Sequence, residues 1–250
     1  VAIDWSPDTF GHPVTVPAYL ARGGVKYLYL HRPGVFTKEK PELFWWRSPD
    51  GSKVLVRNDM RLGYNGSISP ETITKDLVNF VRDTGGVRNW MFVYGVGDHG
   101  GGPTRRDISR IMEMSRWPIF PTIKFSRAQA FFSLLENAAA SLPVIETELN
   151  VEFTGCYTTQ ALIKKANRFS ESRLADAEFA SGMDWAVAGR TYPAERLQES
   201  WRDTLFSHFH DILPGSGVHD TRTYSHGLFQ KTMAATSMIE TQALRHIASL

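Results

Sequence analysis

The stretch Val1-Ala2-Ile3-Asp4-Trp5-Ser6-Pro7-Asp8-Thr9-Phe10-Gly11-His12-Pro13 joins a short apolar run to a tight turn that carries a carboxylate. Enzymes of the α/β class keep their reacting groups on loops at the carboxyl ends of strands. The stretch therefore predicts an α/β layer with Asp8 at a strand exit. Pro7-Asp8 is also ordinary turn chemistry, and on these residues alone both readings stand.

Working outward, apolar runs alternate with helical patterns. Val25-Lys26-Tyr27-Leu28-Tyr29-Leu30 reads as a strand after the Gly23-Gly24 break. Phe44-Trp45-Trp46 and Lys53-Val54-Leu55-Val56 flank Pro49-Asp50-Gly51, a hairpin signal. Ser69-Pro70-Glu71 predicts a capped helix through Ile73, Leu77, Phe80 and Val81, ending at Gly85-Gly86. Trp90-Met91-Phe92-Val93-Tyr94 reads as a strand running into a glycine-rich segment around Asp98. A helix over 104–117, a short strand at Ile123–Phe125 and a helix capped by Ser126 follow. After Pro143 the character changes, and three helical segments, about 158–188, 194–211 and 218–249, suggest a bundle. The expected architecture is α/β followed by all-α: a partial, parallel, β/α-barrel-like layer over residues 1–150, then a three-helix bundle over 151–250.

The composition is that of an ordinary globular protein, 42% hydrophobic and 22% charged, with a net charge of +2. There is no basic run, hence no electrostatic case for nucleic acid. No apolar run approaches the ~20 residues of a membrane span. Cys156 is the only cysteine, which excludes an intrachain disulfide and a thiolate cluster. Any metal must be held by His, Asp or Glu. The chain opens on Val inside a predicted strand, which reads as a piece of a longer protein.

Asp98 lies among Gly95, Gly97, Gly100, Gly101 and Gly102, which let backbone approach a ligand or take positive φ. The segment lacks the Lys-Ser/Thr ending of a phosphate loop, leaving a flexible loop as the alternative. Two carboxylates on strand-exit loops are what a glycosidase uses. In the helical pattern 194–211, Leu197, Trp201 and Leu205 form a stripe. His208 falls on it and reads as a packed histidine, while His210 points away. His210 is then either a solvated histidine favoured by the helix dipole or a metal ligand facing the α/β layer. No His-x-x-x-His or Cys-x-x-Cys pair occurs, so these spacings make no self-contained zinc site.

Three segments carry a resemblance: Trp5–Pro13, Gly97-Asp98-His99-Gly100-Gly101-Gly102-Pro103-Thr104, and Phe209-His210-Asp211-Ile212-Leu213-Pro214-Gly215-Ser216. Leu30-His31-Arg32-Pro33, Asp50-Gly51-Ser52, Gly155-Cys156-Tyr157-Thr158-Thr159 and Lys164-Lys165-Ala166-Asn167-Arg168 extend it over nearly the whole chain. Together they resemble glycoside hydrolase family 38, the zinc-dependent α-mannosidases, and within it the compact cytosolic and bacterial branch.

The resemblance implies a retaining α-mannosidase. Asp8 is then the nucleophile and a zinc ligand, His210 a second ligand from the bundle, and Asp98 the acid/base. Asp211 bonds sugar hydroxyls and Arg32 stands beside the nucleophile. Tyr64 is a substrate-contacting aromatic or simply packs its loop. One Zn²⁺ per site is implied, completed by a His-x-Asp pair on a strand upstream of Val1. The chain alone is accordingly expected to bind zinc weakly and to be inactive. The implied partner is an α-mannoside, without nucleic acid or membrane, in the cytoplasm, with oligomerisation left to the full-length protein. Asp8 and Asp98 are expected on one edge of the sheet, in the assembled enzyme ~5–5.5 Å apart. His210 is expected to approach Asp8, with His208 buried behind. The rival readings are a mannosylglycerate-type hydrolase of the same family, a sugar-binding module without catalysis, and a metal-dependent polysaccharide deacetylase.

Overall fold

The computed structural model describes residues 1–33, 41–97 and 100–250. It divides into two units, Val1–Thr154 and Gly155–Leu250. In the first, β1 (Ile3–Ser6), β2 (Tyr27–Leu30), β3 (Leu43–Arg47), β4 (Lys53–Asn58) and β5 (Val144–Ile145) form one sheet in the order β1-β2-β4-β3-β5. β1, β2 and β4 are parallel neighbours, so the sheet is parallel where Asp8 leaves it. β3 returns antiparallel to β4, and β5 lies parallel to β3. The β3–β4 hairpin is the one expected from Pro49-Asp50-Gly51: the Gly51 amide donates to Ser48 O at 2.9 Å, and its φ of +85° is one that glycine takes without strain.

Successive strand residues face opposite sides, and this alternation sorts the core. Tyr27, Leu43 and Leu55 pack with Phe80, Phe132 and Leu135 on one face. Leu28, Leu30, Phe44, Trp46, Val54 and Val56 pack with Leu149 on the other. The helix α1 (Val16–Arg22) connects β1 to β2 and adds Val16 and Leu20 to the second face. The helices α2 (Pro70–Asp83) and α4 (Ala128–Leu135) cover the first through Phe80 and Phe132. Ser69 caps α2, accepting from the Thr72 amide at 3.1 Å. The helix α3 (Arg105–Met114) opens on a reciprocal capping box between Thr104 and Asp107.

Three local expectations fail. Among the described residues, Trp90–Tyr94 joins no sheet, and its ladder contact is a bridge between Tyr94 and Gly66. Its rings instead face a cluster of Ile68, Ile73, Ile111 and Met114. Ile123–Phe125 is not a strand, and α4 starts after Arg127 without a side-chain cap, so Ser126 does not cap it.

The second unit is three helices, α5 (Ala161–Ala188), α6 (Ala194–Phe206) and α7 (His219–Ala248). Their buried positions step by three and four: Ile163, Ala166, Ser170, Leu174, Ala177, Ser181 and Asp184 on α5, and Leu197, Ser200 and Thr204 on α6. That spacing is the narrow seam of coiled-coil-like packing. The expected stripe Leu197–Trp201–Leu205 is corrected accordingly. Two steps of four drift about 80° around a helix, and Leu205 is 54% exposed. The helix also stops at Phe206 rather than reaching 211. The amides of Ser207, His208 and Phe209 donate three residues back, to Thr204, Leu205 and Phe206, a tightening that ends an α-helix.

Candidate active site

The parallel register Ser6–Leu30–Asn58 ends β1, β2 and β4 at one edge, where α/β sheets bind ligands. Asp8 sits there. The turn that carries it is tied at both ends. Ahead of Asp8, Pro7 O accepts from the His31 and Arg32 amides at 3.2 and 3.3 Å. Behind it, His12 and Leu149 exchange backbone hydrogen bonds of 2.8 and 2.9 Å. The His12 ring is buried edge-on to Trp46, and burial pushes its imidazole down to about 4 against the pull of the Asp4 charge. It is therefore neutral near pH 7.

Arg32 meets Asp8 directly: its Nε donates to Asp8 Oδ1. Its Nη1 lies 3.6 Å from Glu152, and its guanidinium carbon lies 5.6 and 4.9 Å from the ring centres of Phe10 and Phe153. Burial works against the Arg32 charge, but the hydrogen bond and charge of Asp8, with Glu152, outweigh it and raise its pKa.

Behind this edge lies a charged core. Arg57 is fully buried, donating to Glu42 at 2.6 Å and to Asp59 at 3.1 Å. The Tyr29 hydroxyl donates to Asp59 at 3.2 Å, and burial together with the Asp59 charge pushes its pKa well above the usual phenol range. Glu42 continues to Arg61, and Arg61 to Asp83. The network anchors the end of β4, and Asp59 O lies 2.5 Å from His31 Nδ1. His31 in turn meets Tyr64 edge-on, ring centres 5.6 Å apart.

Asp98, with His99, lies outside the described residues. The glycines beside it form a tight pairing in which Gly97 N donates to Gly101 O at 3.0 Å. A Cβ on Gly97 would fall 2.7 Å from Asn65, so this close approach requires glycine.

Residues 1–152 match the glycosyl hydrolases family 38 N-terminal domain. The chain belongs to glycoside hydrolase family 38. Residues 152–247 match the α-mannosidase middle domain. The family 38 chain is similar to Alpha-mannosidase 2C1 of Homo sapiens, 34% identical over 218 residues that span 86% of this chain and 21% of that protein. It is also similar to Alpha-mannosidase G of Dictyostelium discoideum, 30% identical over 245 residues spanning 96% of this chain and 22% of that protein. The crystal structure of an α-mannosidase from Enterococcus faecalis V583 shares the fold. It has a TM-score of 0.82 at 19% identity and covers 100% of this chain and 30% of that one. The chain thus spans 21–22% of the length of these curated relatives.

In the second unit of this family 38 chain, His210 follows the end of α6. It is half-buried, its Nε2 3.9 Å from Asp211 Oδ2 and its ring beside Phe209. His208 is not the packed apolar histidine expected from the stripe. It is half-buried, with Nε2 2.7 Å from Asn167 Oδ1 and 3.5 Å from Glu171 Oε1. The reason is the early end of α6, which takes His208 off the seam and onto the polar side of α5.

Among the described residues, no three His, Cys, Asp or Glu side chains gather into a group that could hold a metal. Taken each within its own unit, the two expected donors are of kinds that zinc takes: Asp8 a carboxylate and His210 an imidazole. A metal-ligating carboxylate is normally held by an outer hydrogen bond, and Arg32 supplies one at Asp8 Oδ1. The sequence singles out Asp8, Arg32 and Tyr64; the structure adds Glu42, Arg57, Asp59, Glu152 and Phe153 to the surroundings of this edge, which the sequence reading does not name. The run Arg57-Asn58-Asp59 directly after Val54-Leu55-Val56 was the available signal for the charged core. Nothing in the local pattern marks Glu152. Among the described residues, no helix is long and apolar enough to cross a membrane.

Proposed function

We infer that the chain is part of a retaining, zinc-dependent α-mannosidase acting on terminal α-mannosides. The observation that carries this reading is Asp8, on a doubly tied turn at the carboxyl edge of parallel strands, with Arg32 bonded to Oδ1. Arg32 stays protonated at any working pH, so Asp8 meets a fixed positive charge that orients it. In the proposed reaction the Asp8 carboxylate attacks the anomeric carbon as the bond to the leaving oxygen breaks, and Asp98 gives that oxygen its proton. Asp98 then takes a proton from water, which displaces Asp8 and releases the sugar with its configuration retained. Tyr64 and Asp211 contact the sugar. Asp8 and His210 would hold zinc together with ligands from elsewhere in the full-length protein. When bound, zinc supplies Lewis-acid binding of sugar hydroxyls and holds the ring near its transition-state shape. On this reading the 250-residue chain alone is inactive.

The test is hydrolysis of 4-nitrophenyl α-mannoside by the full-length protein, with zinc content measured alongside. Asp8→Asn and His210→Ala are expected to abolish activity, and His210→Ala to lower zinc content. His208→Ala, which removes the bonds to Asn167 and Glu171, is expected to cost stability while zinc stays bound. Proton NMR should show α-mannose as the first product. β-Mannose as first product, or full activity in Asp8→Asn, overturns the reading.

A further inference from the structure

The segment 148–153 runs along the Asp8 turn as a strap. Glu148 Oε2 accepts from the Val14 amide at 2.9 Å. Leu149 pairs with the His12 backbone in both directions. Glu152 reaches Arg32 at 3.6 Å, and Phe153 meets Phe10 edge-on with ring centres 5.3 Å apart. Phe153 takes a left-handed φ of +52°. That conformation is uncommon for a bulky residue and persists only where surrounding structure imposes it.

We propose that Glu152 is a positioning residue for the nucleophile: acting through Arg32, it fixes the direction in which Asp8 presents its carboxylate. This rests on the assignment of Asp8 made above. An arginine side chain has four rotatable bonds and loses much entropy when held. Here Nε is hydrogen-bonded to Asp8 and Nη1 lies at ion-pair distance from Glu152, so negative charges at two of its nitrogens bias the orientation of the guanidinium. Phe10 and Phe153 lie against it as cation–π partners. The side chains of Arg32, Asp8 and Glu152 are only 26%, 16% and 26% exposed, so these contacts are shielded from water more than surface pairs are. Without Glu152, Arg32 keeps its bond to Asp8 but loses the second anchor that defines where that bond points. Because the backbone pairing of Leu149 with His12 is independent of the Glu152 side chain, the strap itself survives its neutralisation.

The experiment compares Glu152→Gln, Glu152→Asp and Asp8→Asn in the full-length protein with 4-nitrophenyl α-mannoside, rates expressed per folded molecule. A misplaced reacting group costs up to about 100-fold in rate. Glu152→Gln is expected to lower kcat by roughly 10- to 100-fold with KM within about threefold. Glu152→Asp, which keeps the charge on a shorter arm, should recover part of the loss. A purely structural role would change the folded fraction and leave kcat per folded molecule alone. If Asp8→Asn abolishes activity while Glu152→Gln keeps wild-type kcat, the positioning role is overturned and the glycosidase reading stands. If Asp8→Asn keeps activity, the glycosidase reading falls and the positioning role with it. Should Glu152→Gln not fold, Glu152→Asp decides: a lower kcat at unchanged KM supports the role, and wild-type kcat overturns it.

Discussion

In the α/β unit the side chains wholly removed from water are large: Trp46, Arg57, Tyr29, Phe44, Phe80 and Phe132. In the helical unit the buried side chains are mostly small or hydroxylated: Ala177, Ser181, Ser200, Thr204, Thr232 and Thr236, with Leu174, Leu197 and Ile239 among them. Large rings fill the space between a sheet and the helices over it. Small residues on a three-four seam let helices approach closely along their length, and the hydroxyls of Ser200, Thr204, Thr232 and Thr236 find backbone carbonyls, as Thr236 Oγ1 does with Thr232 O at 2.9 Å, while Ser181 Oγ is buried without a partner among the described residues. Apolar bulk on the bundle is correspondingly displaced outward: Phe179 is 71% exposed, and Trp185 and Val187 are exposed beside it in sequence. The comparison teaches that the same share of apolar residues can serve two kinds of interior, one that holds charges rigidly and one that holds backbones close.

The comparison breaks most readily at Arg57. Arg57→Ala leaves Asp59 buried without its cation and Glu42 with Arg61 alone, and removing one partner of a buried pair costs about 4 kcal/mol. Hydrogen exchange should accelerate over β2 and β4. A loss under about 1 kcal/mol would mean the network is not what stiffens this unit.

In the bundle the expected costs separate by position. Leu174→Ala on the seam should cost about 3 kcal/mol, whereas Phe179→Ser on the outside should stay within about 0.5 kcal/mol. Thermal or urea melts of the two variants give the comparison directly, and equal costs would show that the outer face is part of the folded interior.

The pH dependence sharpens the α/β side. The His12 imidazole, near 4 when folded and about 6.5 when unfolded, binds its proton more readily in the unfolded chain. Its burial is therefore tolerated fully above pH ~6.5, and stability falls as pH drops from there towards ~4, by roughly 2–3 kcal/mol. His12→Gln should flatten that part of the stability–pH curve relative to wild type. A curve with the same slope in both proteins would show that His12 is not the group responsible.

The order of the elements was legible because each has a local cause. Ser69-Pro70 starts a helix, Pro49-Asp50-Gly51 turns a hairpin, and Val54-Leu55-Val56 is an apolar strand with Arg57-Asn58-Asp59 behind it. Trp90–Tyr94 was misread because apolar content does not tell a paired strand from an extended segment packed by its rings; a strand needs a neighbour, and neighbours are tertiary. The α6 stripe was misread because a step of four fits both a helix face and half of a three-four seam, and only the partner helices select between them.

By itself the sequence determined the α/β-then-helical order, the strand-exit place of Asp8 and the motifs that mark family 38, because turn chemistry, periodicity and short motifs act between near neighbours. Only the tertiary structure brought Arg32, Glu152 and Phe153 to the Asp8 turn and put Arg57 between Glu42 and Asp59. Except for Arg57–Asp59, those contacts join positions well separated along the chain, and the energy that holds them comes from desolvation and charge pairing, which exist only once the sheet has closed off water.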